Sequence, residues 1–209
     1  MKARLRRPAV LVFGEDDNDR RVIKHLVEAL RPDAPRLELR RAPLVLVKDR
    51  KAALQRKNAQ DIAKQVSRDQ RRFDVRGVIA HQDCDALEPA HERLSAEIEQ
   101  RLDHEGLNAL AATPAWEMES WLFLWPDAAP ELVRSWSRPA RTGRRVGLIR
   151  DAKEAYRQAL RPKTQRVYEE SDSPKIVAKA IELGLVDAPP DARSDSFERF
   201  RERLRAMRL

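Results

Sequence analysis

The 209-residue chain contains one cysteine, Cys84. A lone cysteine excludes an internal disulfide and any cysteine-based zinc cluster. No stretch approaches the roughly 18 consecutive apolar residues that a membrane-spanning helix needs. The basic residues Lys2, Arg4, Arg6 and Arg7 are followed only by the short apolar run Ala9 to Phe13 before charge resumes at Glu15. That run is too short for a secretion signal, so the cytoplasm is the expected compartment and no membrane partner is expected. Tyrosine is scarce, with only Tyr156 and Tyr168. No Walker-type phosphate loop is present, which excludes ATP hydrolysis by that route.

What the chain has in quantity is charge. Hydrophobic residues make up 42%, enough for a real core, while charged residues make up 36% and the net charge is +8. By segment, the net charge is +2 over 1–30, +8 over 31–76, −10 over 77–133, +9 over 134–168 and −1 over 169–209. Two basic stretches therefore flank an acidic one. A uniformly basic surface would indicate passive adhesion to a polyanion. Acid between basic arms fits a division of labour in which the arms hold a phosphate backbone and the acidic part holds metal ions. The excess of arginine over lysine also fits a coding bias with no functional content.

Hydrophobic periodicity divides the chain. Ala9 to Phe13, ending at Gly14, reads as a buried strand. Val22, Ile23, Leu26, Val27 and Leu30 form one helical stripe, and Asp16 and Asp17 suit its N-terminal cap. A second strand is predicted within 36–47 and a polar helix over 50–72 with Ala53, Ala59, Ile62, Ala63 and Val66 on its apolar face. Val75, Val78, Ile79 and Ala80 form a third strand. Leu94, Ile98 and Leu102 mark a helix over 88–105 that Gly106 stops. Leu107 to Ala112 reads as a fourth strand and Trp116 to Leu124 as a short helix ended by Pro126. This alternation predicts an α/β domain over 1–130, with a mostly parallel, Rossmann-like four-stranded sheet and helices on both faces. Residues 131–209 read as a basic loop and a helical C-terminal extension packed on that core. Its helices carry Ala152, Tyr156 and Leu160, then Ile176, Val177, Ala180 and Ile181, then Phe197, Phe200 and Leu204.

Ligands of open α/β sheets bind at the carboxyl ends of the strands, and acidic residues follow three strands here. Glu15 follows the first, within Gly14-Glu15-Asp16-Asp17-Asn18-Asp19. Asp83 and Asp85 follow the third as Asp-x-Asp. Glu117 and Glu119 follow the fourth. Carboxylates gathered at one edge repel one another unless a cation lies between them, and hard oxygen ligands suit Mg²⁺ or Mn²⁺. Each cluster also has a plain structural explanation: helix capping for Asp16 and Asp17, chance for Asp-x-Asp, a solvated helix face for Glu117 and Glu119.

The order Val10-Leu11-Val12-Phe13-Gly14-Glu15, then Asp19 and the helical stripe, then Val78-Ile79-Ala80-His81-Gln82-Asp83-Cys84-Asp85, resembles the Toprim superfamily of topoisomerases, primases and nucleases. Thr113 to Phe123, with Glu117-Met118-Glu119, and the segment from Pro174-Lys175 to Gly184 resemble small stand-alone Toprim-like proteins of bacterial defence and mobile-element operons. The resemblance implies a Toprim-like sheet and a metal-dependent nuclease acting on DNA or RNA. It implies Glu15 as acid/base or metal-linked glutamate and Asp83 and Asp85 as metal ligands. It also admits a second function, a non-catalytic or conditionally active partner subunit of an ATPase. Two departures stand out. Asp16 follows the glutamate where the family has glycine, and there is neither a nucleophilic tyrosine domain nor room for a topoisomerase gate or primase zinc domain.

Under the nuclease reading, Glu15, Asp83, Asp85 and Glu119 hold the metal, and Lys175 neutralises developing phosphate charge. Arg141, Arg144, Arg145 and Arg150 track the nucleic-acid backbone. His81, two residues before Asp83, lies within reach of a metal site, although a lone histidine at a strand end more often serves as a hydrogen-bonded structural residue. Cys84 alternates to the other face and reads as a small core residue. Trp116, Trp121 and Trp125 share a helical spacing that fits core packing better than base stacking. A homo-oligomer remains open.

Overall fold

The computed structural model describes residues 6–14, 16–42, 45, 52–139, 145–161, 166–187 and 192–209. Four strands form one all-parallel sheet: β1 (Arg7–Gly14), β2 (Arg36–Arg41), β3 (Phe73–His81) and β4 (Ala109–Ala112), in the order β2-β1-β3-β4. The crossovers are helical: α1 (Asp17–Leu30), α2 (Ala52–Asp69) and α3 (Ala90–His104). Parallel strands require such connections, and helices on both faces explain why β1 is apolar at consecutive positions instead of alternating.

Strand alternation assigns the two faces. Val10, Val12, Ile79 and Leu110 share a core with α1, whose Val22, Ile23, Leu26, Val27 and Leu30 are all buried. Leu11, Phe13, Val78 and Ala111 pack on the other face against Ala59, Ile62 and Val66 of α2 and Ile98 and Leu102 of α3. Each such aliphatic side chain contributes about 1.5–3 kcal/mol when fully buried. Rotation of α1 would expose several at once, so the direction of every α1 residue is set by its stripe.

The rest of the chain continues the first of these cores. The short helices α4 (Glu119–Leu122) and α5 (Ala128–Leu132) are followed by α6 (Ala152–Leu160), α7 (Ser173–Glu182) and α8 (Asp195–Ala206). Tyr156, Leu160, Ile176, Val177, Ala180, Phe197, Phe200 and Leu204 join the α1 side of the sheet in one cluster. These helices thus share one apolar cluster with the sheet. Trp121 meets Phe197 and Phe200 at ring-centroid distances of 5.3 and 5.4 Å, and Trp125 meets Phe197 at 5.4 Å. Both tryptophans are buried, which removes them from any base-stacking role. Trp116 lies outside the helix in left-handed backbone, φ 60°, so the predicted helix over Trp116 to Leu124 is confined to Glu119–Leu122. Among the described residues no helix is long and apolar enough to cross a membrane.

Candidate metal centre

The chain leaves β1 towards β2 on one side and returns to β3 on the other. The crevice outside the carboxyl ends of β1 and β3 is therefore the topological switch point, where open α/β sheets bind ligands. Three side chains meet there. Asp19 comes from the first turn of α1, His81 ends β3, and Asp83 lies two residues beyond it. Ligand atoms from these three residues all lie within 4.8 Å of one another. His81 Nε2 is 3.3 Å from Asp83 Oδ1, and His81 Nδ1 is 3.8 Å from Asp19 Oδ2. A Cβ on Gly14 would meet His81 at ordinary contact distance and crowd the Arg20 Cγ at 3.2 Å.

Each position has a local cause. Asp16 is the N-cap of α1, in extended backbone, and its Oδ1 accepts from the Asn18 N–H at 2.6 Å. Asp17 faces outward and pairs with Arg20 at 3.0 Å and Arg21 at 2.7 Å. Asp19 stands one helical turn before Val22 and Ile23, on the same stripe that buries them. It is carried inward, next to β3. The Asp-rich turn is thereby divided into a cap, a surface ion pair and an inward carboxylate.

Burial pushes the Asp19 carboxyl up to about 6, opposed by His81 and reinforced by Asp83, Asp16 and Glu170. For His81, burial favours the neutral ring, but the carboxylates of Asp19, Asp83 and Asp16 outweigh it and hold the imidazole above its ordinary value. His81 Nε2 and Asp83 Oδ1 are buried atoms without a hydrogen-bond partner among the described residues. They face each other at 3.3 Å beside a second carboxylate, an ion pair when the imidazole is protonated and a donor set for a cation when it is neutral. This buried group could bind a metal ion.

A second polar cluster adjoins it. Glu119 is 3% exposed, and its Oε1 accepts from the Tyr168 hydroxyl at 2.8 Å. Burial raises the Glu119 carboxyl to about 7 against the lowering effects of Tyr168 and Lys153, and Asp83 adds to the rise. Lys153 Nζ lies 2.7 Å from Glu170 and 3.7 Å from Glu117. The Lys153 backbone N–H donates to Glu117 at 3.0 Å, which ties the start of α6 to the segment after β4. Burial opposes the ammonium charge of Lys153, but Glu170, Glu119 and Glu117 outweigh it and raise its pKa.

Of the residues that the sequence singles out, Asp83 is in the three-residue group. Asp85 is exposed, in left-handed backbone at φ 48°, and stands outside that group. Glu119 is Asp83's electrostatic neighbour but also lies outside the group. Lys175 is largely exposed and pairs with the buried Asp172 at 3.6 Å. Arg145 and Arg150 are exposed, whereas Glu15, Arg141 and Arg144 lie outside the described residues. Asp19 as a candidate ligand and Lys153 as the cation of the site were not anticipated. The signal for Asp19 was a carboxylate in phase with an apolar stripe. Lys153 had none beyond its place at the start of an amphipathic segment. No protein-family model matches the chain, and no curated protein or solved structure matches it significantly.

Proposed function

We propose that the chain is a metal-dependent phosphodiesterase acting on nucleic acid, a nuclease in the manner that the Toprim resemblance implies, with a role in anti-phage or mobile-element defence. The observation that carries the reading is the Asp19–His81–Asp83 group at the switch point of a parallel sheet, with His81 Nε2 and Asp83 Oδ1 buried and unpartnered. A divalent cation, Mg²⁺ or Mn²⁺, held there would supply an activated water and charge neutralisation at a phosphodiester.

The chain's own residues supply the rest. Asp19, His81 and Asp83 hold the cation. Glu119, poised near neutrality at about 7, takes or gives a proton beside the reacting phosphate. The Tyr168 hydroxyl fixes the direction of that carboxyl. Lys153 places positive charge at the same edge, a role given to Lys175 on sequence alone. The basic segment over 134–168, with Arg141, Arg144, Arg145 and Arg150, tracks the phosphate backbone and makes binding salt-dependent.

The test is cleavage of single- and double-stranded DNA and RNA by the purified chain in EDTA, Mg²⁺ and Mn²⁺. Metal-dependent cleavage that Asp83→Asn abolishes is the expected result. Metal binding without cleavage of any of these substrates would overturn the stand-alone nuclease and favour the other reading, a subunit that acts only with an ATPase partner.

A further inference from the structure

We infer that His81 is a ligand in this centre and that its imidazole makes the site selective for a first-row transition ion over Mg²⁺. The inference rests on the metal site proposed above but not on the reaction proposed for it.

The donor set is the argument. Mg²⁺ binds through one or two carboxylates, keeps several waters and takes nitrogen ligands poorly. Imidazole suits first-row transition ions such as Mn²⁺, Fe²⁺ and Zn²⁺. Here the imidazole sits between the two carboxylates, with one ring nitrogen facing each, at 3.3 and 3.8 Å. Its side chain is only 5% exposed. A structural histidine buried to this degree uses its ring nitrogens in hydrogen bonds. His81 Nε2 meets no well-formed hydrogen bond among the described residues, and its one close polar contact is the Asp83 Oδ1 at 3.3 Å. That nitrogen is aimed into the carboxylate group, where a cation could be shared between it and Asp83. The other ring nitrogen faces Asp19 at 3.8 Å, so the imidazole stands between the two carboxylates of the group.

An open cavity of about 950 Å³, bordered by His91, Arg193 and Glu198, mixes opposed charges along its wall. The Glu119–Tyr168–Ser173 cluster is internally hydrogen-bonded.

The experiment is pulsed electron paramagnetic resonance on the full chain loaded with Mn²⁺, with natural-abundance histidine and again with ¹⁵N-histidine. Nitrogen modulation from a directly bound imidazole, changing to the ¹⁵N pattern on labelling, is the expected result and needs no variant. Competition between Mn²⁺ and Mg²⁺ supplies the second measurement. His81→Gln should weaken Mn²⁺ binding by about 10- to 100-fold, leave Mg²⁺ binding nearly unchanged, and abolish the histidine modulation. His25→Gln and His104→Gln should retain it. A bound Mn²⁺ with no histidine coupling would overturn the inference even if the chain cleaves nucleic acid. Histidine-coupled Mn²⁺ with no cleavage would leave it standing and overturn only the nuclease reading.

Discussion

His81 Nε2 and Asp83 Oδ1 face each other across 3.3 Å, both buried and neither hydrogen-bonded among the described residues. Their contact serves an ion pair when the imidazole is protonated, and a cation between them would add its own binding free energy to folding. Mn²⁺ at about 100 times its dissociation constant should therefore stabilise the chain by about 2.7 kcal/mol, read as a rise in melting temperature that EDTA reverses. Asp83→Asn should lose the rise and the cleavage. Asp85→Asn should keep both, because asparagine also tolerates the left-handed backbone at that position. Loss of both in Asp85→Asn would move the centre toward the Asp-x-Asp pair of the Toprim resemblance.

Glu119 gives a pH dependence with a definite sign. Its folded pKa of about 7 lies above the ordinary value of 4.5. The folded state therefore holds more protons than the unfolded state between those two values. The stabilisation is fully present below about 4.5 and is lost as pH rises through about 7, by on the order of 3 kcal/mol in all. Glu119→Gln, which can still accept from Tyr168, should flatten that decline. Denaturant titrations in EDTA at pH 5 and pH 8 measure it. The wild type and variant should differ more at pH 8, with the variant the more stable. Tyr168→Phe removes a bond that lowers the Glu119 pKa, so the Glu119-dependent limb of the cleavage profile should move to higher pH.

The parts of the fold that follow from one element's own pattern were legible in the sequence. The stripe Val22 to Leu30, the run Ala9 to Phe13 and the Ser173-Pro174 helix start carry their structure in periodicity and capping. The Asp83 position was legible as well, since it follows directly from where β3 ends. Asp19 and His81 were harder. Their meeting depends on β3 pairing with β1 in the register Phe13↔Ala80, a contact between segments more than 60 positions apart. The sequence placed carboxylates in the turn after β1, with Glu15 expected at the metal and Asp16 and Asp17 as caps, and no role for Asp19. Helix phase chooses among them, and it turns on which aspartate is the cap. Lys153 was illegible for a similar reason: the fold brings α6 back against the segment after β4.

Lys153 and Lys175 separate on this geometry. Lys153 is among Glu117, Glu119 and Glu170 at the sheet edge, whereas Lys175 is exposed and bound to Asp172. Lys153→Met should lower maximal cleavage by about 100-fold, in the range of a lost electrostatic stabiliser. It should also raise the Glu119-dependent limb of the pH profile, since Lys153 holds that pKa down. Lys175→Met should change cleavage by less than about threefold, the scale of an exposed ion pair. The reverse ranking would return the phosphate-facing role to Lys175.

The arginines of the basic segment should act on binding alone. Replacing Arg141, Arg144 and Arg145 together with alanine should reduce the slope of log affinity against log salt by roughly two to three units. The rate at saturating nucleic acid should stay unchanged. Fluorescence anisotropy across a salt titration measures the first, and single-turnover cleavage the second. An Arg150→Ala variant should take away about one further unit of slope. An unchanged slope in both would place the backbone-binding surface elsewhere on the chain.

The aspartates of the first turn of α1 should come apart when tested singly. Asp16 is the cap, with its carboxylate on the Asn18 N–H at 2.6 Å, so Asp16→Ala should cost about 1 kcal/mol and Asp16→Asn much less. Asp17 pairs with the exposed Arg21 and the buried Arg20, so Asp17→Ala should cost more than the loss of an exposed pair, and Asp17→Asn less than Asp17→Ala. Asp19 behaves in the opposite sense. Its pKa is raised to about 6 from an ordinary 3.8, so the stability that its proton carries is present below about 3.8 and gone once pH has risen past about 6. At pH 8 without metal, the ionised Asp19 is therefore a net cost, and Asp19→Asn should be neutral or stabilising. The same variant should lose Mn²⁺ stabilisation, while Asp16→Asn and Asp17→Asn keep it. A destabilised Asp19→Asn that still binds Mn²⁺ would show that Asp19 braces the helix start and that the cation is held without it.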